Sequence, residues 1–216
     1  MALGDNGSFG NFKGKIGNLV RYQLKGKTVV RKIGVSNKPP TLPQLAVRRR
    51  IKVVSRFLKP MLAYINLGFE HIVAGTDQHP HNAATSYNTK NAVMGEYPDL
   101  VMDYSKALVS MGPLEPAIGA AVSLISGASG PVANGIEFTW LVSEDMDFGI
   151  RNDRAMLLVY FPGEGSADFV LSGPQRREGR GFVGLGTNQL NKQMECYIAF
   201  TADDRKSVSD SVWVGA

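Results

Sequence analysis

From Leu100 onward the chain is cut into short runs of β-branched, aromatic and aliphatic residues separated by Gly, Pro, Asp and Asn. The runs cover 104–111, 117–125, 136–142, 155–161, 168–172, 194–201 and 207–214. Each is too short for an average helix and carries the residue types that suit a pleated surface. Seven such runs at this spacing predict a β-sandwich. The polar tetrad Asp203-Asp204-Arg205-Lys206 joins the last two as a hairpin.

Detail within the runs narrows the expectation. Ile136-Glu137-Phe138-Thr139-Trp140 resembles the strand of immunoglobulin and fibronectin type III domains that buries a tryptophan between sheets. Ala155-Met156-Leu157-Leu158-Val159-Tyr160 resembles the strand facing it, and 196–202 with 207–213 resemble the final two strands. Such sandwiches serve many functions, so this likeness carries fold alone.

The front of the chain reads differently. Gly4, Gly7, Gly10, Gly14 and Gly17, with Phe9 and Phe12 among them, predict an arm that is mobile or anchored from outside. The runs 18–24 and 27–32 flank Lys25-Gly26 and predict a hairpin. Ser36-Asn37-Lys38-Pro39-Pro40 is a stiff linker. Thr41-Leu42-Pro43-Gln44 has the capping-box form, with Pro43 in a first turn where its missing N–H costs nothing. A helix is expected from there to about Leu58, continuing with a kink at Pro60 to about Phe69. At 100° per residue Val47, Ile51, Val54, Leu58, Met61 and Ile65 form an apolar stripe, while Arg49, Lys52, Arg56 and Lys59 lie opposite. A second helix is expected from an Asn82 cap to the region closed by Pro98. The domain division that follows is 1–98, a basic arm, hairpin and helical module, and 99–216, the sandwich.

Charge separates the same two parts. Through Pro60 the chain has fourteen Lys and Arg and one acid, a net +13, while the remainder is −8, so the overall +5 conceals the split. That distribution points to an acidic partner for the front segment, or to attraction between unlike ends of neighbouring copies. The contact residues expected are Arg48, Arg49, Lys52, Arg56 and Lys59. A solvated basic face, a protein contact and a nucleic-acid contact are all consistent with it. The start lacks a basic segment followed by an apolar one, so no standard signal peptide and a cytoplasmic location are expected. The 44% apolar share suffices for a core, and no apolar run reaches the roughly 18 residues of a membrane span.

Motifs for chemistry are sparse. His71, His79 and His81 with Asp77 could share a metal, but Pro80 suggests an exposed loop and solvated imidazoles. Gly26-Lys27-Thr28 echoes the end of a phosphate loop, but Arg21 stands where its first glycine belongs. Asp145, Asp147 and Asp153 read as an acidic turn, because Gly149 and Ile150 break calcium-loop spacing. Cys196, the single cysteine, sits in a β run and reads as a buried inert thiol. Arg176-Arg177-Glu178-Gly179-Arg180 reads as an exposed basic loop. Nothing marks a catalytic residue, a cofactor or a metal site.

Several local motifs together resemble a bacterial, Bacteroidota-type domain-of-unknown-function family, number 6266. They are Gly14-Lys15-Ile16-Gly17-Asn18-Leu19-Val20, the helix start Thr41-Leu42-Pro43-Gln44-Leu45-Ala46-Val47-Arg48, Asp103-Tyr104-Ser105-Lys106, and the ending Ser209-Asp210-Ser211-Val212-Trp213-Val214-Gly215. The family pattern has Pro-Ala where Leu42 and Pro43 stand here. The resemblance implies no activity and no site residues. Residues 37–48 are also similar, in part, to the helix start of phage head and tail proteins. The expectation is an α+β protein: an N-terminal β-hairpin plus helices, then an immunoglobulin- or fibronectin-III-like sandwich. Its role is non-catalytic, structural or macromolecule-binding, through protein contact or self-association. Nucleic-acid binding and a phage-derived virion role are the alternatives, and no small-molecule ligand is expected.

Overall fold

The computed structural model describes residues 13–24, 26–35, 37–126, 134–143 and 145–215. The chain divides into two compact units, Met1–Thr41 and Leu42–Ala216. The sequence division near residue 98 therefore falls inside the second unit, whose helices and sheets share a core.

The first unit is a three-stranded antiparallel meander of β1 (Gly14–Ile16), β2 (Leu19–Leu24) and β3 (Lys27–Lys32). The hairpin expected from the sequence is β2–β3, with Leu24 opposite Lys27. Gly26 has φ +78, which a two-residue turn requires and a side chain resists. β1 is a correction: Gly14–Ile16, read as part of the glycine-rich arm, pairs with β2 across a turn at Gly17-Asn18. The rest of that arm, residues 1–12, lies outside the described residues. No described residue of this unit is buried, so the meander has no core of its own.

The second unit begins with α1 (Leu42–Leu58), a single 3-10 turn at Lys59–Met61 and α2 (Leu62–Gly68). The helix thus continues past Pro60 by tightening for one turn, as the sequence suggested. α3 (Glu70–Val73) and α4 (Pro80–Asn91) follow. α4 starts two residues before the expected Asn82 cap. The cap is His79, whose Nδ1 accepts from the His81 N–H at 3.2 Å.

A small ladder of β4 (Val93–Met94) and β5 (Val101–Met102) leads into two larger antiparallel sheets. One orders as β10 (Arg180–Gly184), β7 (Gly135–Thr139), β6 (Ala121–Ile125). The other orders as β12 (Val212–Gly215), β11 (Glu195–Thr201), β8 (Arg154–Phe161), β9 (Ser166–Val170). A one-turn helix, α5 (Phe148–Arg151), precedes β8.

β8 and β11 read as unbroken apolar runs because both their faces are covered. Met156, Leu158, Tyr160, Tyr197 and Ala199 face Val54, Phe57, Leu58, Met61 and Ile65 of the helices. The alternate set, with Leu157, Val159, Ile198 and Phe200, shares a second core with Ile136, Phe138, Trp140 and Val183. Tyr64 clamps α2 to the sheet by donating to the Met156 carbonyl at 3.0 Å.

Two expectations for strands need correcting. Residues 104–111 form a 3-10 turn (Tyr104–Lys106) and an irregular stretch. That stretch is held by side chains and isolated backbone bonds, such as Met111 N–H to the Gly68 carbonyl at 2.9 Å, rather than by a ladder. Asn88 donates to the Leu108 carbonyl and accepts from its N–H, and Ser211 Oγ accepts from Val109 N–H at 3.0 Å. Conversely β10, which the sequence reading missed, pairs along its whole length with β7.

Candidate functional site

The basic face of α1 is the site the charge pattern singles out. Arg48, Arg49, Lys52, Arg56 and Lys59 are all exposed, because Val54, Phe57 and Leu58 turn the opposite face into the core. Among the described residues none of the five has a carboxylate within ion-pair distance. Arg50, at the apolar edge, is half-buried.

The structure divides these five. Arg49, Lys52 and Arg56 rim a groove of about 360 Å³ between α1, β5 and the end of β8. Arg48 and Lys59 stand outside it. The groove is lined by the Phe57, Tyr104 and Tyr160 rings, with Leu100, Met102 and Pro162 as apolar shoulders. Its lining contains no carboxylate, imidazole or thiol.

The aromatic cluster is rigidly placed. The Phe57 and Tyr160 rings meet edge to face at 5.0 Å, and Tyr104 and Tyr160 are 5.9 Å apart. Tyr197 donates to the Tyr104 carbonyl at 2.8 Å, fixing the 3-10 turn against the sheet. Burial, with the Glu195 and Tyr160 charges adding to it, pushes the Tyr104 phenol up to about 12. Burial also raises Tyr160, with Arg56 opposing. Both hydroxyls therefore stay protonated donors at neutral pH, and both feel the Arg56 guanidinium.

Neither tyrosine is marked in the sequence. Tyr160 reads as core strand and Tyr104 as the start of another. Only the packing of α1 against β8 brings their hydroxyls to the cations.

α1's apolar stripe is covered for only part of its length. Val54, Leu58, Met61 and Ile65 are sealed, whereas Val47 is 54% and Ile51 44% exposed. Leu42 is exposed as well. The first three turns of α1 therefore present apolar side chains beside cations.

Arg176, read as part of an exposed basic loop, is buried, a correction. It donates to the Glu115 and Pro116 carbonyls at 2.8 and 3.0 Å and lies over the Phe200 ring. Asp153 is not part of a surface turn with Asp145 and Asp147. It is buried 3.8 Å from Arg176, and desolvation raises its carboxyl to about 6. Asp145 and Asp147 line a second groove of about 540 Å³ with Glu115, Ile118 and Leu141. Cys196 is buried, which pushes its thiol up to about 12 and leaves it unreactive. Burial and neighbouring His79 hold His81 below the usual imidazole range. Among the described residues no three His, Cys, Asp or Glu side chains gather as metal ligands. No described helix is long and apolar enough to cross a membrane.

With the geometry in hand, comparison with family models matches residues 11–215, nearly the whole chain, to a "Family of unknown function (DUF6266)". The chain belongs to DUF6266. Comparison with curated proteins gave no match, and neither did comparison with solved structures. Membership in DUF6266 supplies no activity, so function rests on the site itself.

Proposed function

We propose that this member of DUF6266 is a non-catalytic docking protein whose α1 face binds an acidic, partly apolar protein surface. The observation that supports it most is the row Arg49, Lys52 and Arg56, free of acidic partners among the described residues and beside exposed Val47 and Ile51. A phosphate backbone gains little from uncovered valine and isoleucine, whereas a protein surface buries them at about 25 cal/mol per Å². A second copy is one such partner. The groove with Glu115, Asp145 and Asp147 over Ile118 and Leu141 offers the complementary charge and apolar floor.

An immunoglobulin- or fibronectin-III-like sandwich would suit a scaffold role. The strand orders β6-β7-β10 and β12-β11-β8-β9 support that reading, since a fibronectin type III sandwich orders its strands A-B-E and G-F-C-C′. Nucleic-acid binding is the second reading. Arg49, Lys52, Arg56 and Lys59 recur every three or four residues, a rise of about 4.5–6 Å that suits successive phosphates. A virion-type structural role would use the same docking face.

The test is binding of poly-L-glutamate and of single-stranded DNA to the full chain at low salt, with light scattering for self-association. Docking to protein predicts saturable poly-L-glutamate binding or a mass above the monomer. Both should be lost in the triple variant Arg49→Glu, Lys52→Glu, Arg56→Glu. Binding of DNA alone, with a steep salt slope, assigns the second reading. A monomer at high concentration that ignores both polymers removes the proposal.

A further inference from the structure

Docking through the α1 face requires a grip on the partner. The groove beside Arg56 contains an unusual feature. Tyr160 is 2% exposed, lines the groove, and its hydroxyl has no hydrogen-bond partner among the described residues. Tyr104, half-buried beside it, likewise has a hydroxyl without a partner. The buried side-chain atoms without hydrogen-bond partners among the described residues are Arg151 Nε and Asp153 Oδ2, so both phenol oxygens open onto the groove. Here two phenols and one guanidinium turn donors toward one space, and no carboxylate of the lining answers them.

We propose that Tyr104, Tyr160 and Arg56 form a seat for one carboxylate side chain of an acidic polypeptide partner. The proposal rests on the docking reading and adds the grip. A carboxylate presents about four acceptor positions on two oxygens, enough for a guanidinium and two hydroxyls. Charge-assisted bonds of this kind are stronger than neutral ones, and the sheltered floor strengthens them further. Leu100, Met102 and Pro162 cover the apolar stem of the glutamate or aspartate and its neighbours. Arg49 and Lys52 at the rim attract the approaching acid without having to touch it. Glu195, whose charge is felt at Tyr104, does not occupy the seat. It is buried outside the lining, accepting from Trp213 Nε1 at 2.8 Å and from Gln193 Nε2 at 3.4 Å.

The test uses the full chain labelled at its tyrosine rings and a short capped peptide with one glutamate between apolar residues. Its glutamine counterpart is the control. The glutamate peptide should shift the ring signals of Tyr104 and Tyr160 and bind about tenfold more tightly than the control. Tyr160→Phe keeps the ring and removes only the hydroxyl, and it should cut glutamate-peptide affinity about tenfold while leaving the melting temperature nearly unchanged. Arg56→Gln, a surface change that cannot disturb the core, should do the same. Equal binding of the two peptides, or no effect of either variant, overturns the seat. Inorganic phosphate displacing the peptide at lower concentration than free glutamate overturns the carboxylate assignment. Poly-L-glutamate binding that needs Arg49 and Lys52 but ignores Tyr160→Phe leaves docking standing and removes the seat alone. Failure of both polymers and peptides removes docking itself.

Discussion

Arg176 and Arg56 belong to the same compact unit and carry the same guanidinium, yet Arg176 is 4% exposed while Arg56 lies open. Arg176 has found two carbonyls, the face of Phe200 and a nearby Asp153, and its charge is consumed inside the fold. Arg56 has a helix beneath it and no described acid beside it. A cation whose donors are satisfied by its own chain holds structure together. One in an uncompensated row is available to something else, which is why the docking face proposed above is on α1 and not on the loop at 176–180.

The contrast is broken most directly at Arg176. Replacing it with Met leaves the buried Asp153 without its cation and the Glu115 and Pro116 carbonyls without their donor, and a loss of about 3–5 kcal/mol is expected in denaturant unfolding. A loss no greater than that of Arg56→Gln would erase the distinction. Leu58→Ala, in the sealed half of α1, should cost about 2–5 kcal/mol by leaving a cavity against the sheet. Gly68→Ala should cost about 1–3 kcal/mol, because a Cβ there would stand 2.6 Å from the Val109 carbonyl oxygen.

Asp153 sharpens the comparison through pH. Its folded carboxyl titrates near 6 against an ordinary 3.8, so between those values the native state holds more protons than the unfolded chain. Stability contributed here is present at low pH and falls as pH rises through that window, by on the order of 3 kcal/mol. Asp153→Asn should remove that slope from the variant's profile, so that the difference between the two stability profiles carries it. A slope of the opposite sign would mean that Arg176 outweighs desolvation.

The smallest effects belong to the open end of α1. Val47→Ala and Arg49→Gln should each change stability by less than about 0.5 kcal/mol. Binding of an acidic polymer should fall for both, more for Arg49→Gln. A large stability loss at Val47 would show that its side chain is already used within the protein.

Much of the fold was legible locally. Pro43, the 3.6-residue apolar stripe and Pro60 marked α1 and its tightened turn; Lys25-Gly26 marked the β2–β3 hairpin. The failures share a cause. β1 and β10 are glycine-punctuated strands, Gly14–Ile16 and Arg180–Gly184, whose pairing comes from the neighbour strand rather than from their own propensity. Residues 104–111 look like a strand by composition, but Asn88 and Ser211 supply their hydrogen-bond partners from elsewhere in the chain. Of the candidate site, the cations Arg49, Lys52 and Arg56 were readable from helical spacing; Tyr104 and Tyr160 were not.

The residue order alone determined which face of α1 is charged, which is greasy, and that the cations outnumber the acids at that end. Those are properties of local geometry, fixed by 100° per residue. Tertiary structure decided which part of the greasy stripe is covered, which arginine is internal, and which hydroxyls stand beside Arg56. Each depends on residues far apart in sequence, such as 56 with 160 or 116 with 176, and no local pattern records who will be the neighbour.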